Sequence, residues 1–417
     1  MRRRTWLLGG SALLATGVIA GVVLLDDEDA GTSVTLGPPH WAMPVLRYSL
    51  AGQERLAVLV RRSETEVLPA GETRPPARGD RLEIRGFDAT TLAPLFQAPI
   101  ASVATNGAPS AGLLGEHAAT LWIFADTIGA VSAVDGQVLI ERQGLIALTP
   151  DIEGTLAQPR LNIWLTADGL MLQTASGPRR FNPRTLRAEA LPATGEALPS
   201  PRGTAPFELR APIAFRTAEA RIGETWLGFA PVTAAPVAGT RRPNIPGARF
   251  MPGSGQPGTT AQRLWRASLA GVAAVPPTPT NADTGFQGSA ARTPAPAPGA
   301  PVAFRLDAPT ALSFDPGSLG QAGFLTRGAQ PDSEPIRPPG APGLLILHRT
   351  TDTNLGLTRI NAQGSAAWTT ALPINHLVSC IPGEGPLLLA GTTSTGAETF
   401  IAVTLDTGAT VSRTLAE

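Results

Sequence analysis

The stretch INAQGSAAWTTALP at Ile360–Pro373 decides the fold, because degenerate copies of it occur elsewhere in the chain. LDTGATVSRTLAE at Leu405–Glu417 and FNPRTLRAEALPA at Phe181–Ala193 share its layout: an apolar residue, Asp or Asn, a tight turn and a second apolar strand. Asp and Asn suit the first turn position because their side chains bond the backbone two residues further on. We therefore interpret these segments as repeated strand–turn–strand units.

The units recur with a regular period. Adjacent Asp or Asn positions are 45 to 47 residues apart where no unit is skipped, which is the period of β-propeller blades. The pairs that mark the turns are Phe87-Asp88, Val134-Asp135, Phe181-Asn182, Phe314-Asp315, Ile360-Asn361 and Leu405-Asp406.

Seven short apolar runs lie in phase with these turns, and runs of this length predict strands buried on both faces. They are Ala57–Val60, Leu121–Phe124, Asn162–Leu165, Thr225–Gly228, Val302–Arg305, Leu344–Leu347 and Leu387–Ala390. Stacked blades bury each sheet between two neighbours. The sequence thus predicts an all-β fold, a β-propeller with seven blades favoured and six or eight as alternatives, preceded by an N-terminal transmembrane helix.

The predicted propeller occupies residues 32–417 and is interrupted by Pro/Gly-rich segments without apolar periodicity, which predict extended or disordered loops. These inserted loops are expected at about 64–79, 234–260, 276–300 and 330–342. Between Asn182 and Asp315 one turn is missing, and Arg263–Gly271 is the expected stand-in for that unit. We expect Ser33–Leu36 to add an edge strand to the last blade and so close the ring.

Residues 1–31 predict a single transmembrane signal anchor behind a cytoplasmic Arg cluster. Trp6–Leu25 carries no charge over its 20 residues, which span about 30 Å as a helix, the thickness of the bilayer's hydrocarbon core. Arg2–Arg4 precede this run and Asp26–Asp29 follow it, so the positive-inside rule places the rest of the chain in the periplasm, anchored to the inner membrane. Cleavage as a signal peptide is the alternative, although the apolar run is long and has no clear small-x-small site.

Composition narrows the classes of function. Only 16% of residues are charged and the formal net charge is +0, so no electrostatic field attracts nucleic acid. The single cysteine, Cys380, excludes an intrachain disulfide, and its place in the strand-like run HLVSC predicts a small buried apolar side chain.

The units INAQGSAAWTTALP and LDTGATVSRTL resemble blades of the PQQ-like (quinoprotein-type) β-propeller superfamily, in which an Asp/Asn-x-x-Gly turn precedes an apolar, often Trp-bearing strand. Trp368 and the turn Asp406-Thr407-Gly408 carry the resemblance, which covers most of Val45–Glu417. The chain as a whole is similar to membrane-anchored bacterial members of the superfamily. Quinoprotein dehydrogenases of the superfamily are implied to hold a quinone beside a cysteine pair, with Ca²⁺ and an Asp base. One cysteine cannot supply that pair, so no cofactor is expected. More distantly, the units resemble the propeller scaffold of outer-membrane protein assembly, but this chain lacks the lipid-attachment cysteine of that scaffold.

No motif assigns a catalytic residue. The four histidines, at His40, His117, His348 and His376, are widely spaced, so no metal site is predicted. Other weak signals are an incomplete Ca²⁺ loop at Asp352–Asn354, the isolated pair Glu116-His117, Ser254 in a flexible loop and a hairpin turn at Gly383–Gly385. Trp122, Trp164 and Trp226 lie in apolar strands and predict packing between blades, whereas Trp41 is uninformative.

Two functions remain open at this stage. The first is a non-catalytic scaffold that binds an envelope protein or a peptide on the rigid face of the propeller. The alternative is an enzyme or small-ligand receptor, similar to a hydrolase or lyase, that uses the central channel. The sequence leaves the partner and the oligomeric state undetermined.

Overall fold

The computed structural model describes most of the chain between Ser33 and Ala416. The described ranges are 33–68, 78–104, 111–125, 128–158, 161–166, 168–191, 204–205, 216–217, 219–222, 225–231, 239–241, 262–270, 304–312, 322–326, 335–338, 343–350, 354–361, 363–381, 383 and 385–416. In these ranges no helix has the length and apolar character to cross a membrane. The predicted anchor at Trp6–Leu25 lies outside them.

The described residues form six antiparallel sheets. Sheet 1 contains β1 (Ser33–Leu36), β2 (His40–Leu50), β3 (Gln53–Val67), β4 (Arg78–Asp88) and β5 (Pro94–Ala104). Sheet 2 contains β6 (Ala111–His117), β7 (Thr120–Ala125), β8 (Ile128–Ser132) and β9 (Val138–Ile140). Sheet 3 contains β10 (Leu161–Thr166), β11 (Gly169–Thr174), β12 (Gly177–Phe181), β13 (Ala188–Ala190) and β14 (Thr204–Ala205).

The second half of the chain continues the pattern, except that β15 (Arg216–Thr217) precedes sheet 4 and pairs with sheet 5. Sheet 4 contains β16 (Glu219–Ile222), β17 (Thr225–Pro231), β18 (Gly239–Arg241), β19 (Gln262–Ala270) and β20 (Phe304–Ala311). Sheet 5 adds β21 (Gly323–Leu325), β22 (Gly343–Arg349), β23 (Leu355–Asn361) and β24 (Ala366–Ala371) to β15. Sheet 6 contains β25 (His376–Ile381), β26 (Leu387–Thr392), β27 (Glu398–Val403) and β28 (Thr410–Thr414).

Short helices connect sheet 2 to sheet 3. They are α1 (Arg142–Leu148), a 3-10 turn (Pro150–Ile152) and α2 (Glu153–Leu156). Each contributes a buried apolar side chain, namely Leu145, Ile152 and Leu156, to the core between the two sheets. These helices therefore pack the connection onto the core.

The seven predicted apolar strands fall into six sheets, because two of them share a sheet. Thr225–Gly228 lies in β17, and the described end of the run Val302–Arg305, from Phe304, lies in β20 of the same sheet. The Arg263–Gly271 stand-in corresponds to β19, a strand between these two. The insertions between β17 and β20 separate these strands so widely in sequence that the period predicts two units where there is one sheet.

Ser33–Leu36 is a strand, as predicted, but its expected place in the last blade was wrong. It forms β1 and pairs with Glu64–Val67 of β3, in sheet 1. Only Gly37–Pro39 separates it from β2, so β1 continues along the same neighbouring strand instead of crossing to the last sheet.

The inserted loops were partly misplaced. The loop predicted at 64–79 is shorter at both ends, because Glu64–Val67 belongs to β3 and β4 begins at Arg78. The segment 234–260 contains β18, and in 330–342 Pro335 forms a bridge to Thr326. Segment 276–300 lies outside the described residues. A segment without apolar periodicity can therefore still form a strand at the edge of a sheet.

Five of the six predicted turns lie in the described residues, and two of these five are shifted in register. Asp88 Oδ1 accepts bonds from the backbone N–H of Thr90 and Thr91 at 2.9 and 2.7 Å, and Asn182 and Asn361 accept equivalent bonds. The other two turns begin earlier, at Ser132 and Thr404, whose N–H groups donate to the carbonyls of Gln137 and Ala409. Asp135 and Asp406 therefore lie inside their turns, and Asp315 is outside the described residues.

Neighbouring sheets share apolar cores. Side chains of sheets 1 and 2, 2 and 3, 4 and 5, and 5 and 6 pack together in pairs. A further core joins sheets 1 and 6, because Val58 of sheet 1 packs with Leu388 and Phe400 of sheet 6. The first and last sheets are thus in direct contact.

The repeated turn is also a contact point between sheets. Trp368 of sheet 5 donates from Nε1 to the carbonyl of Leu405, 2.9 Å away, and its ring covers Gly408 in the turn of sheet 6. Phe96 of sheet 1 covers Gly136 in the turn of sheet 2 in the same way. The repeat found in the sequence therefore has two physical causes, the turn itself and its docking against the preceding sheet.

Gly408→Ala should destabilise the fold by about 2–3 kcal/mol, because φ is +75° there and a Cβ would lie 2.6 Å from the Trp368 ring. Gly396→Ala is the matched control, since φ is +82° but no atom lies within 4 Å of its Cβ. We expect the control to cost about 1 kcal/mol, from backbone strain alone. Urea unfolding of both variants measures the difference, and equal losses would refute the role of the Trp368 contact.

Candidate functional site

The junction between sheets 1 and 6 concentrates buried charge and aromatic side chains, and we take it as the candidate site. Its apolar part contains Trp41 and Phe87 of sheet 1, which both pack against Phe400 of sheet 6. The ring centroids of Trp41 and Phe87 lie 5.1 and 5.7 Å from that of Phe400, in tilted arrangements. Aromatic pairs favour such tilted geometry.

A buried ion cluster lies beside these rings. Glu83 and Arg85 of β4 are two residues apart, so both side chains project from the face of sheet 1 that sheet 6 covers. Arg85 Nη2 lies 2.6 Å from Glu83 Oε1, and both side chains are 7% exposed. Gln97 Nε2 donates to Glu83 Oε2 at 2.7 Å, and Arg62 Nε lies 3.3 Å from Glu83 Oε1. The carboxylate therefore interacts with polar groups on three strands.

Arg85 also connects sheet 1 to sheet 6. Its Nη1 donates to the backbone carbonyl of Leu415, and the Leu415 N–H donates to the carbonyl of Glu398 at 2.8 Å. The buried guanidinium thus attaches the last residues of sheet 6 to the middle of sheet 1. A buried charge of this kind is stable only where partners compensate its lost hydration.

A second polar group closes one end of the junction. Glu398 Oε2 accepts a hydrogen bond from the backbone N–H of Trp41 at 2.5 Å, and Glu398 Oε1 lies 3.4 Å from His40 Nδ1. The Glu398 side chain is 12% exposed and that of His40 is 52% exposed. Burial raises the pKa of Glu398, and the bonds from Trp41 and His40 oppose this rise. The pair places a buried carboxyl beside a solvent-accessible imidazole, an arrangement that can exchange protons.

Glu398→Gln should change how stability depends on pH. Because the folded-state pKa of Glu398 is raised above 4.5, its contribution to stability is fully present below pH 4.5 and is lost as pH rises through the folded-state pKa. Glutamine cannot ionise but can still accept the bond from Trp41. The free energy of unfolding of the variant, relative to the unmodified protein, should therefore rise between pH 4.5 and neutrality. Urea unfolding at several pH values tests this, and a constant difference would contradict it.

The structure separates the four histidines. His40 lies at the junction, His376 is exposed at the start of β25, and His117 is half-buried at the end of β6. His348 is buried in sheet 5, where its Nε2 lies 3.0 Å from Thr358 Oγ1, and burial lowers its pKa. Among the described residues no group of three or more His, Cys, Asp or Glu side chains is arranged to hold a metal ion.

The remaining predicted residues lie mostly in cores or outside the described ranges. Cys380 is buried between sheets 5 and 6, which raises its pKa to about 12, so the prediction of a buried apolar thiol is confirmed. Trp122, Trp164 and Trp226 are buried as predicted. Glu116 accepts a bond from the N–H of Ala119 in a turn. Other positions that lie outside the described residues are Ser254, Asp352, Thr353 and Glu384.

Sequence reasoning missed Glu83, Arg85 and Glu398. The run RLEIRGF at Arg81–Phe87 alternates polar and apolar residues, a pattern typical of a strand with one solvated face. Here a second sheet covers the polar face. The only local signal was that charges of opposite sign, Glu83 and Arg85, stand on that same face.

Comparisons with known proteins add little. No family model matches this sequence, and no curated protein matches it. Matches to solved structures include the AtxE2 isopeptidase variant with Astexin3-dC4 bound, at 12% identity and a TM-score of 0.33. That match covers 90% of this chain and 52% of the isopeptidase, so the chain spans about half the length of that structure. A likeness at this level carries no argument about fold or function.

Proposed function

We propose that the six sheets are the blades of one β-propeller of the PQQ-like (quinoprotein-type) kind. The shared cores support this arrangement: sheets 1 to 3 pack in sequence, sheets 4 to 6 pack in sequence, and sheet 6 returns to sheet 1, which gives five of the six contacts of a six-bladed ring. The repeated turn, covered by the preceding sheet at Gly136 and Gly408, supports it further, since each blade of a propeller has the same neighbour on the same side.

We propose further that this propeller is a non-catalytic scaffold in the cell envelope, attached to the inner membrane by the Trp6–Leu25 anchor and exposed to the periplasm. The observation that carries this proposal is the junction of sheets 1 and 6. There Arg85 of sheet 1, paired with Glu83, donates to the Leu415 carbonyl and so holds sheets 1 and 6 together. A closed, rigid ring offers a preformed surface to an envelope protein or peptide at low entropic cost.

Crosslinking in intact cells, followed by capture of the full-length chain from membranes, tests the scaffold proposal. We expect one or a few envelope proteins to copurify with the folded chain. A reporter fused after Glu417 should be active only in the periplasm. Recovery of no protein above background, or a cytoplasmic reporter, would overturn the proposal.

The pair Glu398–His40 favours one alternative function. A carboxyl that orients a half-exposed imidazole is one element of general acid–base catalysis, as in hydrolases and lyases, or of a small-ligand receptor in the channel. This alternative predicts hydrolysis of model esters that is lost in His40→Ala. Activity equal in both proteins, or none in either, would exclude it for these substrates.

A further inference from the structure

Sheet 1 contains a longer strand than any other described sheet. Its β3 has 15 residues, whereas β7, β11 and β26 have six each. The additional length, Glu64–Val67, pairs with β1 on one side and with the start of β4 on the other. β1, the end of β3 and the start of β4 extend sheet 1 along the strand direction, and we call this extension the arm.

The register of the arm shows which main-chain groups point away from the sheet. The Gly37 N–H donates to the Ser63 carbonyl at 2.8 Å, which makes these two residues a hydrogen-bonded pair. In an antiparallel ladder such pairs alternate with non-bonded pairs, so Thr35, opposite Thr65, also bonds inward. The N–H and C=O groups of Val34 and Leu36 therefore point outward, away from β3.

Among the described residues, this edge of β1 has none of the usual protection against strand pairing. In the described part of the chain no strand pairs with it. Val34 is 55% exposed and Leu36 is 43% exposed, and β1 (SVTL) contains neither charge nor proline, the residues that normally block edges. Beyond Leu36 the edge stops, because Pro38 and Pro39 have no N–H to donate. The edge can thus accept a strand of about four residues.

We propose that β1 binds a short extended segment of an envelope protein by β-strand addition. The segment would add main-chain hydrogen bonds to Val34 and Leu36, and apolar side chains at alternate positions would cover these two residues. This inference rests on the proposed function and specifies where its partner binds.

The place of β1 in the chain limits the partner. Ser33 lies eight residues after Leu25, the end of the predicted anchor, and a connection of that length spans at most about 30 Å. The arm therefore stays close to the membrane surface, so the bound segment belongs to a membrane protein or to one that reaches that surface. A second copy of this chain is the competing occupant, and the crosslinking experiment below distinguishes it from another protein.

A photoreactive residue at position 36 of the full-length chain in its membrane tests the proposal. We expect an adduct with one other protein, mapped by mass spectrometry to a short segment of it. Val34→Pro removes the outward N–H and leaves the inward bonds of Thr35 intact, so adduct yield should fall at least about fivefold. Val34→Thr, which keeps that N–H, is the matched control and should change the yield less than about twofold. Both variants should unfold at the temperature of the unmodified protein.

An adduct with a second copy, an adduct with lipid, or a yield unaffected by Val34→Pro would overturn the proposal. Crosslinking and capture of the full-length chain, as described for the scaffold proposal, separates this failure from failure of that proposal. Capture of an envelope protein by general crosslinking but not through position 36 would refute binding at β1 alone. If neither experiment captures a protein, both proposals are refuted.

Discussion

Glu83→Ala is expected to lower the free energy of unfolding by about 3–5 kcal/mol, the cost of breaking a buried ion pair from one side. The substitution leaves the Arg85 guanidinium buried, with its interaction to the Leu415 carbonyl but without the carboxylate that compensates its charge. Arg62 is affected less, since its side chain is 24% exposed and can reach water. Urea unfolding of the purified protein measures the loss.

The double variant Glu83→Leu with Arg85→Met is the control for this prediction. Apolar residues of similar volume can replace a buried ion pair at little cost, so the double variant should regain at least half of the lost stability. The unpaired Leu415 carbonyl would account for a remaining deficit of about 1–3 kcal/mol. A double variant less stable than Glu83→Ala would show that the pair is not the source of the effect.

Phe400→Ala is expected to cost about 3–5 kcal/mol, because it opens a cavity in a fully packed core. Phe400 is 1% exposed and contacts both Trp41 and Phe87, so its loss removes the aromatic link between sheets 1 and 6. Amide exchange should accelerate in β27 and in β2, on the two sides of the junction, more than in sheet 3.

Phe181→Ala is the matched comparison, because Phe181 is also fully buried and packs on an aromatic ring, that of Trp122. We expect a similar loss of free energy, with faster exchange confined to sheets 2 and 3. If Phe400→Ala leaves the exchange of β2 unchanged, the contact of the first and last sheets does not hold the two ends of the chain together.

The turns could be predicted from sequence because they are local. Asp88, Asn182 and Asn361 bond to backbone N–H groups within four residues, so each turn depends on its own residues alone. The shifted turns at Ser132 and Thr404 show the limit of this reasoning, since Ser and Thr begin a turn in the same way as Asp but give a weaker signal.

Sheet membership could not be predicted in the same way. The count of seven strands became six sheets, because two long insertions separate β17 from β20 in sequence, although both strands pair with β19 in one sheet. β1 likewise pairs with β3, in sheet 1. Periodicity reports which residues are buried in a strand and carries no information about which strand is its neighbour.

The amino-acid sequence by itself determined the all-β class, the repeated turn and the burial of the apolar strands, because these depend on side-chain chemistry within a few residues. Only the tertiary structure decided that Glu83 and Arg85 are buried, that Glu398 meets Trp41 and His40, and that Val34 and Leu36 line an edge with which no described strand pairs. The reason is physical: a polar residue on a strand has the same local pattern whether water or a second sheet covers it. Contacts between residues more than 300 positions apart determine which of the two applies.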